Sequence, residues 1–162
     1  MSSLLSFAQW LDETGLSTSL RESNWVYPIA ETIHVLAIGL SVGVIMWLDL
    51  CLLRVIMREE PVADVIERLE PLAIRGFLVM FASGFLLLLA TPLKAYTSIW
   101  FQLKAILLVV AGLNVLYFHK KVMHDVDEWD HQGVPWRAKM VGAFSLSLWV
   151  GIIFLGRWFA YF

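Results

Sequence analysis

Residues 25–40 read WVYPIAETIHVLAIGL, and the physical reading of this stretch decides the fold. From Val26 to Leu53 the chain is almost uninterrupted apolar sequence, longer than the roughly 20 residues that a membrane-spanning helix needs. Trp25 and Tyr27 stand at its start as interfacial anchors, and Pro28 falls in the first helical turn, where a missing N–H costs little. Inside the apolar run, however, Glu31 and His34 lie one helical turn apart. An ionisable group in hydrocarbon costs from about 2.5 to more than 10 kcal/mol, so each one is a functional hypothesis from the outset.

Three further runs have the same character: Leu72 to Pro92, Trp100 to Phe118 and Met140 to Phe159. The 162 residues are 59% apolar and 14% aromatic, and the mean hydropathy is +0.73. Soluble domains run nearer 45–50% apolar, so the bilayer is the expected solvent. Four spans joined by short connections predict an all-α integral membrane four-helix bundle, up-down and antiparallel, with residues 1–162 forming one membrane domain. Residues 1–20 are predicted to form a short amphipathic N-terminal helix. Leu4, Leu5, Phe7, Ala8 and Leu11 share one side of it, and either the membrane interface or the end of the bundle can cover that side. Met1 to Leu11 lacks the basic start of a cleavable signal.

Charge sets the expected orientation. The connections after spans one and three hold Arg54, Arg58, Arg68, Lys120, Lys121, Arg137 and Lys139, against Arg21, Lys94 and Arg157 on the other side. The positive-inside rule then puts both termini outside, in the periplasm of a bacterial inner membrane. Trp25, Tyr27, Trp100, Trp158 and Tyr161 fit an outer aromatic belt. A net charge of −2 with no basic face excludes nucleic acid as a partner. Cys51 has no second cysteine to pair with and is read as a small buried hydrophobe. Between Pro61 and Pro71 a short surface helix is expected, with Pro71 opening span two.

Depth along the helices sorts the buried polar residues into two layers. Glu31, His34, Lys104 and Arg157 lie toward the outer side and form a predicted polar pocket; Asp49, Arg75, Asn114 and His119 lie toward the inner side. Glu31 and Asp49 are 18 residues apart, about five full turns, so both carboxylates share a face with His34 and Ser41 near it. The opposite flank carries Gly39 and Gly43, a G-x-x-x-G pair that suits close packing within the chain or the seam of a homo-oligomer. Structural pairing is the bland account of the charges: Glu31 with Lys104 or Arg157, and Asp49 with Arg75.

Sharper chemistry competes with pairing. A di-iron site takes two Glu-x-x-His motifs and two further Glu residues, and only one such motif is present. His34 can serve as an axial ligand of haem b or as a metal ligand for electron transfer, with Lys104 and Arg157 as anion partners. The difficulty is the second ligand, because His119, His124 and His131 lie about 15 Å or more away by helical rise. Haem can still be held between two copies of His34 across a dimer axis or by one His alone, and a periplasmic redox or metal-binding protein is a candidate partner. The transport reading uses Glu31 and Asp49 as stations for a proton or cation, although broken helices and repeats are absent. In a third reading the protein is purely structural. The segment HDVDEWDHQG lacks the glycine of a calcium loop and reads as a solvated loop. No nucleophile triad, phosphate loop or CxxC points to an independent enzyme.

Taken together, WVYPIAETIHVLAIGL, MWLDLCLLR, FQLKAILLVVAGLNVLYFH and FSLSLWVGIIFLGRWFAYF resemble a family of uncharacterised four-helix bacterial inner-membrane proteins known by a domain-of-unknown-function label. The resemblance covers nearly the whole chain. It implies that Glu31, His34, Asp49, Lys104, Asn114, His119 and Arg157 occupy the family's marked polar positions, and it brings no activity with it. Cys51 in LDLCLLR stands at a place that is often basic in the family. The expected protein is therefore a non-enzymatic binding or accessory subunit with an outward polar pocket, the small transporter and the structural subunit being its alternatives.

Overall fold

The computed structural model describes residues 3–126, 129 and 133–161. Two short helices, α1 (Ser3–Asp12) and α2 (Gly15–Glu22), precede α3 (Val26–Leu52), α4 (Val62–Ala90), the short α5 (Pro92–Thr97), α6 (Ile99–Tyr117) and α7 (Trp136–Tyr161). A π-helical turn, Phe118–Val122, and a 3-10 turn, Met123–Asp125, continue α6. Among the described residues, four helices are long and apolar enough to cross a membrane: Val26–Leu52, Val62–Ala90, Ile99–Val122 and Trp136–Tyr161. The chain is thus an all-α, multi-pass membrane protein. Its outward surface carries Leu36, Leu78, Val109 and Phe154, all exposed, as helices solvated by acyl chains require.

The single N-terminal helix expected over residues 1–20 is two helices. Thr14 makes the break: its hydroxyl donates to the Leu11 carbonyl at 2.7 Å and accepts from the Ser17 N–H at 3.3 Å, capping α2. The Ser17 hydroxyl and the Arg21 guanidinium both reach the Ala90 carbonyl at the end of α4, each at 3.3 Å. Meanwhile α1 packs on α5 through buried Ala8 and leaves Leu4, Phe7 and Trp10 exposed. One side of this helix therefore rests on the bundle's end while an aromatic and aliphatic side is open to the interface.

Span two also differs from its expectation. Instead of starting after Pro71, α4 begins at Val62 and runs through Pro71 without interruption. The cause is tertiary packing. Val62 and Ile66 are buried with Leu52, Val122, Val134 and Ala138 in a cluster at the end remote from the termini, called the far end below. Burial of that kind outweighs the single backbone hydrogen bond that proline removes.

Helix α3 packs on α4 and on α7, and α7 packs on α6. No comparable backbone packing joins α4 to α6 among the described residues, so the bundle has one wide seam. Side chains from all four long helices fill its middle: Met80 and Phe77 of α4 and Ala111, Leu107 and Leu108 of α6 share one apolar cluster with Ala37, Val42, Leu148, Trp149 and Ile152. The Phe77 and Trp149 rings lie 5.4 Å apart.

Close helix approach depends on other glycines than those expected. A Cβ added at Gly39 or Gly43 would meet nothing within 4 Å, so the G-x-x-x-G pair does not pack within the chain. Gly76 and Gly84 of α4 and Gly142 of α7 face α3 instead. Gly39→Ala and Gly43→Ala are accordingly expected to leave the unfolding midpoint in detergent unchanged or to raise it, by up to about 1 kcal/mol each from helix propensity. A lowered midpoint would reveal a partner helix at that face of the purified protein.

Candidate functional site

The predicted outer pocket is partly assembled. Half-buried His34 faces α4, and its ring is accommodated by Gly84, where an added Cβ would stand 3.0 Å from the imidazole Cε1. Its Nδ1 lies 3.0 Å from the Met80 carbonyl and 3.0 Å from the Ser83 hydroxyl. A carbonyl only accepts, so Nδ1 carries the proton. Ser83 in turn sends its own hydrogen to the Val79 carbonyl at 2.7 Å. The network leaves the Nε2 lone pair without a protein partner among the described residues. Lys104 of α6 lies within coulombic range of His34, and its Nζ rests 3.2 Å from where a Cβ on Gly156 would stand. Glu31 and Arg157 do not join them. Glu31 is exposed, and Arg157 turns outward to donate to the Tyr161 hydroxyl at 2.7 Å with its guanidinium 4.8 Å from that ring. Among the described residues Glu31 forms no ion pair with Lys104 or Arg157.

At the far end the inner layer is better built. Asp49 is 4% exposed and lines a cavity of about 60 Å³ together with Asn114, Val141, Ser145, Glu70 and His119. Its accessible wall is almost wholly apolar. Ser145 of α7 lines the same cavity as the Asp49 carboxyl, and the buried Oδ2 has no partner among the described residues. The Asn114 amide reaches toward the Val141 carbonyl at 3.5 Å, tying α6 to α7 beside the cavity. Arg75, the expected partner of Asp49, is exposed and forms no ion pair with it. One turn along α7 from Ser145, the Trp149 Nε1 is also buried without a partner.

Across the wide seam, His119 bonds Glu70. Its Nε2 lies 2.8 Å from Glu70 Oε1 and its Nδ1 lies 3.0 Å from the Val115 carbonyl. This pair links α4 to the end of α6, and His119 sits in the π-helical turn. Single π turns inside α-helices are frequent at functional sites. Glu70 and Ser145 are the site residues that sequence reasoning missed. Glu70 was hidden by assigning it to a connection ahead of Pro71, although an acid within reach of a boundary histidine was a usable signal. Ser145 has none beyond being a small polar residue in an apolar helix.

Among the described residues no group of three or more His, Cys, Asp or Glu side chains gathers to hold a metal. His124 is exposed, whereas His131 and most of the acids around it lie outside the described residues. Fold and site together define a small polytopic helical membrane protein with a polar station near each end of its core. The chain belongs to the Family of unknown function (DUF6644), whose profile matches residues 7–162. Neither a curated protein nor a solved structure matches it.

Proposed function

We propose that the protein is a small cation-coupled membrane protein of the inner membrane, and that Asp49 is the group that takes the ion. One observation supports this above all: a carboxyl that is 4% exposed keeps Oδ2 without a hydrogen-bond partner at the wall of a cavity. Most buried polar atoms have a partner, and of the three among the described residues that lack one, Asp49 Oδ2, Ser98 Oγ and Trp149 Nε1, only Asp49 Oδ2 belongs to a carboxyl group. A carboxylate oxygen left open beside a small cavity suits a ligand that comes and goes. Between this station and His34 lies the packed apolar cluster around Met80, Ala111 and Trp149. Ion passage therefore requires a second conformation in which that cluster parts. Glu31, exposed at the terminal end of α3, suits the approach to the other side.

The test is uptake by vesicles of phosphatidylethanolamine and phosphatidylglycerol containing the purified protein, driven by an imposed potential and read with trapped proton- and sodium-sensitive dyes. Wild-type vesicles are expected to take up one cation faster than protein-free vesicles, and Asp49→Asn is expected to abolish the excess. Equal uptake by wild type and Asp49→Asn, or no excess for either ion, would overturn the proposal.

A second reading is favoured by the His34 geometry. A ligating histidine usually has its other ring nitrogen fixed by a carbonyl or carboxylate, and His34 is held in that way. It offers one nitrogen and no companion ligand among the described residues, so haem b or a metal ion held there is bound by His34 alone or takes a further ligand from a redox partner or a second copy. Exposed Gly39 and Gly43 lie on the flank of α3 opposite His34, so a homo-oligomer joined through them would not bring two His34 rings together. The optical spectrum decides this reading: a Soret band that is lost in His34→Ala supports it, and a colourless, metal-free protein eliminates it.

A further inference from the structure

We propose that the ion taken by Asp49 is a proton, and that the Glu70–His119 pair passes it between the far-end solvent and the cavity; this rests on the reading of Asp49 as the ion-binding group. The first argument is the ligand count. Hard metal cations take six or more oxygens in protein sites, or keep a shell of water. Around Asp49 the cavity offers Ser145 and Asn114, and the second carboxylate in its wall, Glu70, is engaged by His119 at 2.8 Å. So sparse a donor set, in an otherwise apolar wall, fits a proton on Oδ2 rather than a coordinated metal.

The second argument is connection. Asp49, Glu70 and His119 line one cavity, and they are its titratable lining groups: Asp49 from α3, Glu70 from α4 and His119 from the turn after α6, while α7 contributes Val141 and Ser145. Asp49 is buried, whereas the side chains of His119 and Glu70 are 42% and 32% exposed. The pair therefore touches the cavity on one side and solvent on the other. Both ring nitrogens of His119 face acceptor oxygens, an arrangement complementary to imidazolium beside a carboxylate. Nδ1–H stays on the Val115 carbonyl. Nε2 hands its proton to Glu70 Oε1, which it already faces at 2.8 Å, the Glu70 carboxyl delivers it to Asp49 Oδ2 across the cavity that both residues line, and the neutral ring regains a proton from solvent. No other reactant is required. The π-helical turn that carries His119 sits at the wide α4–α6 seam, where the helices lack close backbone contact.

The experiment uses the full-length protein in two measurements. Dicyclohexylcarbodiimide reacts with protonated carboxyls, and mass spectrometry of peptides reads its addition to Asp49. Labelling is expected to slow as pH rises and to be indifferent to sodium, lithium or potassium. Protection by one of those cations would overturn the proton while leaving Asp49 as the ion site. Labelling insensitive to pH and to every cation would remove both. In vesicles, His119→Phe is expected to slow proton uptake by about a hundredfold, the low end of what a positioned proton-transfer group contributes. His119→Lys keeps a cation opposite Glu70 but does not titrate in the neutral range. It is expected to fail like His119→Phe and to shift the pH profile of uptake. Wild-type uptake in either variant would reduce the pair to a structural ion pair and overturn the route.

Discussion

Asp49→Leu is expected to yield a protein that is more stable than the wild type and inactive in ion uptake. The two halves come from one cause. A buried acceptor without a partner costs about 1–3 kcal/mol, and Asp49 Oδ2 is such an atom. Leucine removes it and can use part of the adjoining 60 Å³ cavity for its larger side chain. Lost cavity surface and restored apolar contact add to the gain. For a chain of this length about 2–4 °C accompanies each kcal/mol, so a rise of several degrees in the unfolding midpoint is expected in detergent. The same substitution deletes the proposed ion-binding group. If Asp49 were part of a structural pair, the sign would reverse, because leaving a buried partner charge alone destabilises by about 3–5 kcal/mol. A midpoint below that of the wild type would thus identify an undetected partner and favour the purely structural reading. Asp49→Asn is the companion variant: it keeps polarity and size, and it separates loss of charge from loss of the acceptor.

Much of the architecture was legible in the sequence because hydrocarbon imposes so few solutions. Four apolar runs of sufficient length force four helices, and among the described residues four helices are long and apolar enough to cross. His34 and Asp49 were legible as residues that turn toward protein, whereas Glu31, Arg75 and Arg157 of the same expected layers are exposed. Partners were not legible. Helical rise fixes depth, but azimuth decides contact, and a cation at the right depth can turn away. Arg75 is exposed rather than paired with Asp49, and Arg157 folds onto Tyr161 rather than reaching Glu31. The G-x-x-x-G pattern misled because a small residue permits close approach without compelling it. Which glycines are used depends on the facing helix, and Ser41 and His34 of α3 are met by Gly76 and Gly84 of α4. Pro71 misled in a related way: a local rule placed a helix start there, and the buried first turns of α4 overruled it.

Gly76 is the position where substitution is expected to damage the fold most. A Cβ built there would lie 2.9 Å from the Ser41 backbone N, 3.0 Å from its Cα and 3.0 Å from its Cβ. These are not the far ends of flexible side chains. Ser41 is fully buried, and its hydroxyl is spent on the Ala37 carbonyl at 2.7 Å, so α3 itself must move to admit a methyl group. Overpacking of this kind costs about 1–3 kcal/mol for a small intrusion and more for a large one. Gly76→Ala is therefore expected to lower the midpoint by several degrees, and Gly76→Leu to give no folded protein on size exclusion. Gly112→Ala, with nothing within 4 Å of the added Cβ, is the control and is expected to be neutral. Gly84→Ala differs in kind, because what it would press upon, at 3.0 Å, is the His34 ring. Its stability loss is expected to be smaller, with the ring displaced from Met80 and Ser83. If Gly76→Ala unfolded at the wild-type midpoint, α3 and α4 would have to be free to separate. The close α3–α4 contact that leaves the wide seam on the other side of α4 would then not be the constraint that shapes the Asp49 cavity.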